Sequence, residues 1–318
     1  MSLKSDSKSL EVESLKKTVA TLTKQNKVLE ERLDKLKVSK AHPRIKVGRG
    51  RGRKKGDFVR CLAGDIHGMK HDPAAVKAWL QDVKTVDPDE VVILGDYIDC
   101  GGFLSEYKAQ NWVDAYGYSY EEDIEATNAI LDKLQEVAPR ASIEIIEGNH
   151  EDRVERWAIT QNLGSRRDAN MLLKAISPEY LCHLKERGIK YYRRGEIHNV
   201  PNEPGWVRKG RVLMTHRAGT SKNAAAQSVQ AAGASVFYAD THRADSSWIK
   251  TPGGGQHGAW NFGCLCQSGR PLWAKANFSH WTQGHGVQFV SRNENFLVVP
   301  VPIIDGQSFL KPLLEQKS

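Results

Sequence analysis

The sequence predicts an α/β fold: a layered β-sheet core flanked by helices, preceded by an N-terminal coiled-coil helix. Three observations predict it. From residue 57 onward, short apolar and β-branched runs alternate with amphipathic helical stretches. Five of those runs end in Asp, Asn or His. A seven-residue apolar repeat occupies residues 12–36 and stops there.

The repeat places Val12, Val19, Asn26 and Leu33 at one seam position, with Leu15, Leu22, Leu29 and Leu36 three residues after each. Apolar residues spaced at 3.5 need a partner helix to cover them. Val at the first position with Leu at the second favours two parallel strands, and a buried Asn fixes their register. Residues 1–40 are therefore expected to form a homodimerisation helix, paired through residues 12–36. Its shortness implies modest stability.

Residues 41–56 read as a basic flexible linker. The stretch "PRIKVGRGRGRKKG" carries Arg44, Lys46, Arg49, Arg51, Arg53, Lys54 and Lys55, with glycines between them and no apolar face. Clustered cations of this kind neutralise phosphates and release counterions, so nucleic acid is the expected partner. "GRGRGR" looks like an AT-hook core but lacks the flanking prolines, which points to backbone contact rather than base choice. The charge is confined to this end. Residues 1–56 hold 17 Lys/Arg and 6 Asp/Glu, a net of +11, whereas residues 57–318 hold 29 and 32, a net of −3.

Residues 57–318 form the α/β body, and a hydrophobic content of 40% suffices for its core. "FVRCLAG", "EVVILGD", "SIEIIEG", "RVLMTH" and "SVFYAD" read as strands. "DPAAVKAWLQDVKT", "YEEDIEATNAILDKLQEV" and "KNAAAQSVQAAG" read as helices. Near-continuous Val/Ile/Leu strands joined by helical crossovers argue for mostly parallel, buried strands, whose carboxyl ends collect ligands. Five cysteines are an odd count and a poor disulfide framework, which fits a reducing compartment. No apolar run approaches the roughly 20 residues of a membrane helix, and the N-terminus lacks a signal-peptide core. A cytoplasmic protein that does not enter membranes is expected.

The strand exits carry the chemistry. They release Asp65 and His67, Asp96 and Asp99, Asn149 and His150, His216, and finally Asp240 and His242. Any one of these pairs alone is ordinary turn chemistry. Five at one sheet edge point to a metal centre. Two divalent cations about 3.5–4 Å apart can share a carboxylate, hold a water or hydroxide between them and clamp phosphoryl oxygens. Such a site needs a bridging Asp, neutral imidazoles and a limited number of oxygen donors. Gly64, Gly68, Gly95 and Gly148 beside the ligands let the chain turn sharply. Elsewhere, "CLC" (264–266) is a single pair, "TPGGGQHG" lacks a P-loop ending, and His257, His280 and His285 have no partner at ligand spacing. Trp112, Trp157 and Trp260 are expected to pack rather than stack on bases.

The motifs D-x-H, G-D-x-x-D and G-N-H-E, followed by a later His and a closing x-x-x-H, resemble the calcineurin-like metallophosphoesterase superfamily over about residues 57–245. "NHEDRVERW" and the stretch from "WNFGCL" to "WTQGHG" are similar to phage-type members. The resemblance implies that Asp65, His67, Asp96 and His242 hold one metal. Asp96, Asn149, His216 and residue 240 would hold the second. His150 would be the general acid, oriented by Asp99. Two departures stand out. The family's G-H-x-H is Ala239-Asp240-Thr241-His242 here, and Cys100 stands where its protein-phosphatase branch has an Arg.

Three carboxylates against two divalent cations leave +1, where a histidine at 240 would leave +2. Asp240→His is therefore expected to raise activity. Harder oxygen donation favours Mn²⁺ first, then Mg²⁺, over Zn²⁺ or Fe. The expected function is a two-metal phosphodiesterase or nuclease working by attack of a metal-bridging hydroxide. The alternatives are a phosphomonoesterase on a small or protein substrate, and a catalytically weak nucleic-acid-binding protein owing to Asp240.

Overall fold

The computed structural model describes Lys16 and residues 57–103, 118–160, 166–217, 219, 221–252, 255–267 and 280–310. The predicted coiled coil (Lys16, helical and exposed, apart), the seven linker cations and Trp112 lie outside the described residues. The chain divides into two compact units, Met1–Lys46 and Val47–Ser318. The second carries the fold.

Its strands are β1 (Phe58–Ala63), β2 (Glu90–Ile93), β3 (Ser142–Ile146), β4 (Lys190–Tyr192), β5 (Val207–Lys209), β6 (Val212–Met214), β7 (Ser235–Phe237), β8 (Ala244–Lys250), β9 (Gln256–Phe262), β10 (Gln283–Val290), β11 (Phe296–Ile304) and β12 (Gln307–Ser308). Its helices are α1 (Pro73–Val86), α2 (Tyr120–Val137), α3 (Asp152–Thr160), α4 (Arg166–Ile176), α5 (Pro178–Leu181) and α6 (Ala224–Ala232). Two sheets result, a seven-stranded one ordered β12-β11-β10-β1-β2-β3-β4 and a five-stranded one ordered β5-β6-β7-β9-β8.

The strand pattern explains why β1, β2 and β3 of the first sheet are buried on both faces. Side chains alternate along a strand, so a run that is apolar at every position has two faces to cover. Cys61 and Ala63 of β1 and Ile143 and Ile145 of β3 pack with Trp79 and Val83 of α1 and Leu131 and Leu134 of α2. Leu62, Val92 and Ile146 point the other way, against Met214, Phe237, Trp260 and Phe262 of the second sheet. Helix α6 covers that sheet's outer face through Ala225 and Val229. The helices begin where the sequence caps them. The Asp72 carboxylate accepts from the Ala74 and Ala75 amides, with Pro73 at the first helical position, and Ser119 accepts from the Glu122 amide.

The expectation of mostly parallel strands needs correction. Pairings β1–β2, β2–β3, β3–β4, β6–β7 and β7–β9 are parallel, but β1–β10, β10–β11, β11–β12, β5–β6 and β8–β9 are antiparallel. The reason is connection length. Parallel neighbours need a crossover, whereas turns as short as Gly210–Arg211 and Ser291–Asn295 can only reverse the chain. The site-bearing strands are the parallel ones: β1, β2 and β3 in one sheet, β6 and β7 in the other. Among the described residues, no helix is long and apolar enough to cross a membrane.

Candidate metal centre

The loops leaving three of those strands, β1, β2 and β7, are held in an unfavourable conformation. Asp65, His67, Asp96, Asp240 and His242 all have φ between 48° and 72°. Left-handed backbone is uncommon for residues with a Cβ, and it persists only where the surroundings over-determine it. Those surroundings are backbone hydrogen bonds between loops. The Ile66 and His67 amides both donate to the Asp96 carbonyl, Leu265 N donates to Asp65 O, and Ala239 N donates to His216 O. Glycine is required beside them: a Cβ on Gly95 (φ +92°) would come within 2.4 Å of His216 Nδ1, and one on Gly148 within 2.0 Å of Asp96 Oδ1.

All the predicted ligands meet there. One atom each from Asp65, His67, Asp96 and His242 lies within 4.8 Å of the others, and the same holds for Asp96, His216 and Asp240. Asp96 belongs to both groups. Its Oδ2 is 3.9 Å from His67 Nε2 and 3.2 Å from His216 Nε2. His242 Nε2 lies 3.5 Å from Asp65 Oδ1 and 3.1 Å from His67 Nε2. Asn149 Oδ1 is 3.0 Å from His216 Nε2, and Asp240 Oδ1 is 3.6 Å from it. Asp240 thus points inward.

The donor set fits cations. His216 Nδ1 donates to the Leu94 carbonyl at 2.7 Å, which leaves the Nε2 lone pair facing the Asp96, Asn149 and Asp240 oxygens. A lone pair aimed at three acceptors, two of them carboxylates, needs a positive charge between them. His67 Nδ1 is likewise engaged by Asp99 Oδ1 at 3.1 Å, which turns its Nε2 toward that of His242.

The electrostatics without ions match. Burial lowers the His216 pKa, but Asp96 and Asp240 overcome this and raise it well above the ordinary value. Burial, then neighbouring Asp96 and Asp240, pushes Asp65 up against the opposing pull of His216. Asp96 is itself held well below the usual range, because His150, His216 and His67 outweigh its burial. Burial and the neighbouring His67 push His242 well down.

His150 sits beside this cluster, its Nε2 3.6 Å from Asp96 Oδ2. The predicted orienting role of Asp99 is present in modified form. His150 Nδ1 is 2.6 Å from the Asp99 main-chain carbonyl and 3.3 Å from its Oδ1, and that carboxylate also serves His67. Burial lowers the His150 pKa to about 4, with Arg153 and His67 adding to the shift against Asp96 and Asp99.

Four residues of the site escape the sequence reading. Buried Arg153, in the first turn of α3, places its guanidinium nitrogens 2.9 and 2.7 Å from His150 Nδ1 and Nε2. Glu151 accepts from the amides of Gly148, Asp96, Tyr97 and Ile98, stapling the β2 and β3 exit loops together. Burial and Asp96 raise its pKa to about 8. Arg217 Nε lies 3.1 Å from Asp240 Oδ2, and Cys266 Sγ is 3.5 Å from His242 Nδ1. Glu151 has a sequence signal as the acid closing G-N-H-E, and Cys266 belongs to the CLC pair; the two arginines reach the site through the tertiary fold alone.

The residues set aside in the sequence behave as packing. His285 pairs with Asp82 at 2.8 Å in the core, Trp157 packs on Phe103, and Trp260 on Phe237. His257 and His280 join no metal-ligating cluster among the described residues. Cys100 is buried and its amide donates to Asp123 Oδ2, so no cation stands at that position.

Similar solved structures include a single mutant of Vps29 from Entamoeba histolytica, at 10% identity over 79% of this chain and 96% of that one, with a TM-score of 0.34. A phosphoesterase from E. coli, Yfce, shares 16% identity over 76% and 99%, TM-score 0.32. A dimetal phosphatase from Danio rerio shares 11% over 76% and 98%, TM-score 0.33. Likenesses this distant say nothing about substrate. No curated protein matches the chain. The family profile of calcineurin-like phosphoesterases, however, matches residues 61–265, the span that contains every candidate ligand. The chain therefore belongs to the calcineurin-like phosphoesterase family and is a metal-dependent phosphoester hydrolase.

Proposed function

We propose that the chain hydrolyses phosphodiester bonds in nucleic acid with two divalent cations, Mn²⁺ foremost. The observation that carries the two-metal part is the position of Asp96, whose carboxylate belongs to both ligand groups. Asp65, His67 and His242 would complete one set, and Asn149, His216 and Asp240 the other. When bound, the cations supply Lewis acidity, drawing charge from phosphoryl oxygens and lowering the pKa of water. The predominance of oxygen donors in the second set favours Mn²⁺ and Mg²⁺.

His150 holds the proton for the leaving oxygen. Its Nδ1 is fixed on the Asp99 carbonyl, so Nε2, near Asp96 and 2.7 Å from the Arg153 guanidinium, is the nitrogen that would face the leaving oxygen. Burial and Arg153 disfavour the imidazolium, while an arriving phosphate anion favours it. The ring therefore gains its proton as substrate enters.

The nucleic-acid part rests on charge: a net of +11 in residues 1–56 against −3 in the remainder. Cys100 in place of a phosphate-gripping Arg speaks against a phosphoprotein substrate. One observation favours the phosphomonoesterase alternative. Arg217 is half-exposed beside Asp240, where the second charge of a monoester would find a cation. Hydrolysis rates on chromogenic mono- and diesters, measured with Mn²⁺, Mg²⁺ and Zn²⁺, test the choice. Faster diester turnover with cleavage of an oligonucleotide is expected; turnover of monoesters alone would overturn it.

A further inference from the structure

The first residues of β1 open onto a cavity of about 370 Å³ at the end of the sandwich away from the metal centre. The strand separates the two by roughly 20 Å at 3.3 Å per residue. Both sheets line the cavity. Phe58 and Arg60 come from β1, Lys209 from β5, Arg211 from the turn after it, Arg292 from the β10–β11 connection and Phe296 from the start of β11.

The floor is electrically balanced. Buried Arg60 bonds Glu90 and Gln288, and Lys209 bonds Glu90 and Glu144, which makes two cations for two carboxylates. On the rim the cations are exposed: Arg211 and Arg292 stand there beside Glu294. Arg211 donates to Asn295 Oδ1 at 2.9 Å, which ties the two turns together. The Arg292 amide donates to Asp57 Oδ1 at 3.1 Å. Asp57 stands two residues after Lys55, the last of the seven cations of residues 44–55.

We propose that this cavity docks one nucleotide of an unpaired nucleic-acid strand, its phosphate on Arg211 and Arg292 and its base against Phe58 and Phe296. The inference rests on the nucleic-acid reading above. The volume is in the range of small-ligand sites. Cations beside aromatic rings are the chemistry that holds single strands, whereas a duplex keeps its bases stacked and offers only phosphates. A strand docked there must be several nucleotides long to reach Asp96, so the cavity lowers KM for long substrates and leaves short ones unaffected.

The test uses the Mn²⁺-loaded full-length chain and a labelled, phosphorothioate-linked single strand, with binding followed by fluorescence anisotropy over a salt series. Arg211→Ala with Arg292→Ala should weaken binding roughly tenfold at low salt and make the log–log salt slope shallower by about 1.4, two phosphate contacts at about 0.7 each. Arg292→Ala alone should give about half of that slope change. Hydrolysis of bis(p-nitrophenyl) phosphate should be unchanged in both variants. Natural affinity and slope in the double variant would overturn the cavity's role while the nucleic-acid reading stands. An equal loss for a duplex of the same sequence would overturn the base-in-cavity arrangement. Failure of the natural chain to bind the strand would overturn the nucleic-acid reading, and the cavity's role with it.

Discussion

Asp240 and Arg217 together set how much positive charge the site presents. Counting carboxylates alone leaves +1 with two cations bound, and from that count Asp240→His should raise the rate. The Arg217 guanidinium, 3.1 Å from Asp240, restores the missing charge. The pair therefore predicts that Asp240→His gives no gain, and that Arg217→Ala lowers kcat/KM by roughly three- to tenfold, in keeping with about 1 kcal/mol for a half-exposed ion pair. Steady-state kinetics on one diester decide it; a faster Asp240→His enzyme would show that Arg217 does not offset the carboxylate. His150→Asn should cut turnover by about 10²–10⁴ while metal content stays at the natural level. Metal loss in that variant would instead make His150 a ligand. The pH dependence follows from protons trapped in the metal-free site. Asp65 and His216 have folded pKa values raised above their unfolded ones, so their stabilisation is complete below the unfolded values and is lost as pH rises through the raised ones. Metal-free protein should thus melt at lower temperature as pH climbs from 6.5 to 8.5, whereas the metal-loaded protein, whose ligands are already deprotonated, should not. Parallel melting curves for the two forms would contradict this.

At the scale of elements, the exit loops of β2 and β3 are one construction. Gly148 lies so close to the Asp96 carboxylate that a methyl group would displace it. Gly148→Ala should therefore cost metal affinity by at least the 10–100-fold typical of losing a ligand's support, with little change in the strands themselves. Calorimetric titration with Mn²⁺ measures this, and unaltered affinity would mean that the loop yields freely. Much of this level was legible in the sequence. Strands β1, β2, β3, β6 and β7 announce themselves as unbroken apolar runs, and helices α1 and α2 by Asp72-Pro73 and Ser119 at their starts. Strands β10 and β11 carry no comparable signal. Polar and glycine positions interrupt "QGHGVQFV", and pairing with β1, more than 200 residues earlier, is a long-range event without local signal. Arg153, Arg217 and Cys266 escaped for a related reason. Arg carries no ligand pattern, Cys266 belongs to a single C-x-C pair without a second, and only the fold brings them against His150, Asp240 and His242.

On the scale of the whole molecule, the proposed function gives the folded phosphoesterase an N-terminal segment that would deliver it to nucleic acid. On that proposal the heptads at 12–36 and the cations at 44–55 would make separable contributions. Removing residues 43–56 from the full chain should flatten the salt dependence of nucleic-acid binding and leave the hydrolysis rate of a small diester within about twofold. Everything in the chemistry depends on Asp96 serving two ions at once. The direct test is the number of divalent ions per chain, measured by mass spectrometry of the metal-loaded protein and of Asp96→Asn. Two ions per natural chain and fewer than one in Asp96→Asn, with hydrolysis lost in parallel, are predicted. A single ion in the natural chain, or a full complement retained after Asp96→Asn, would contradict it.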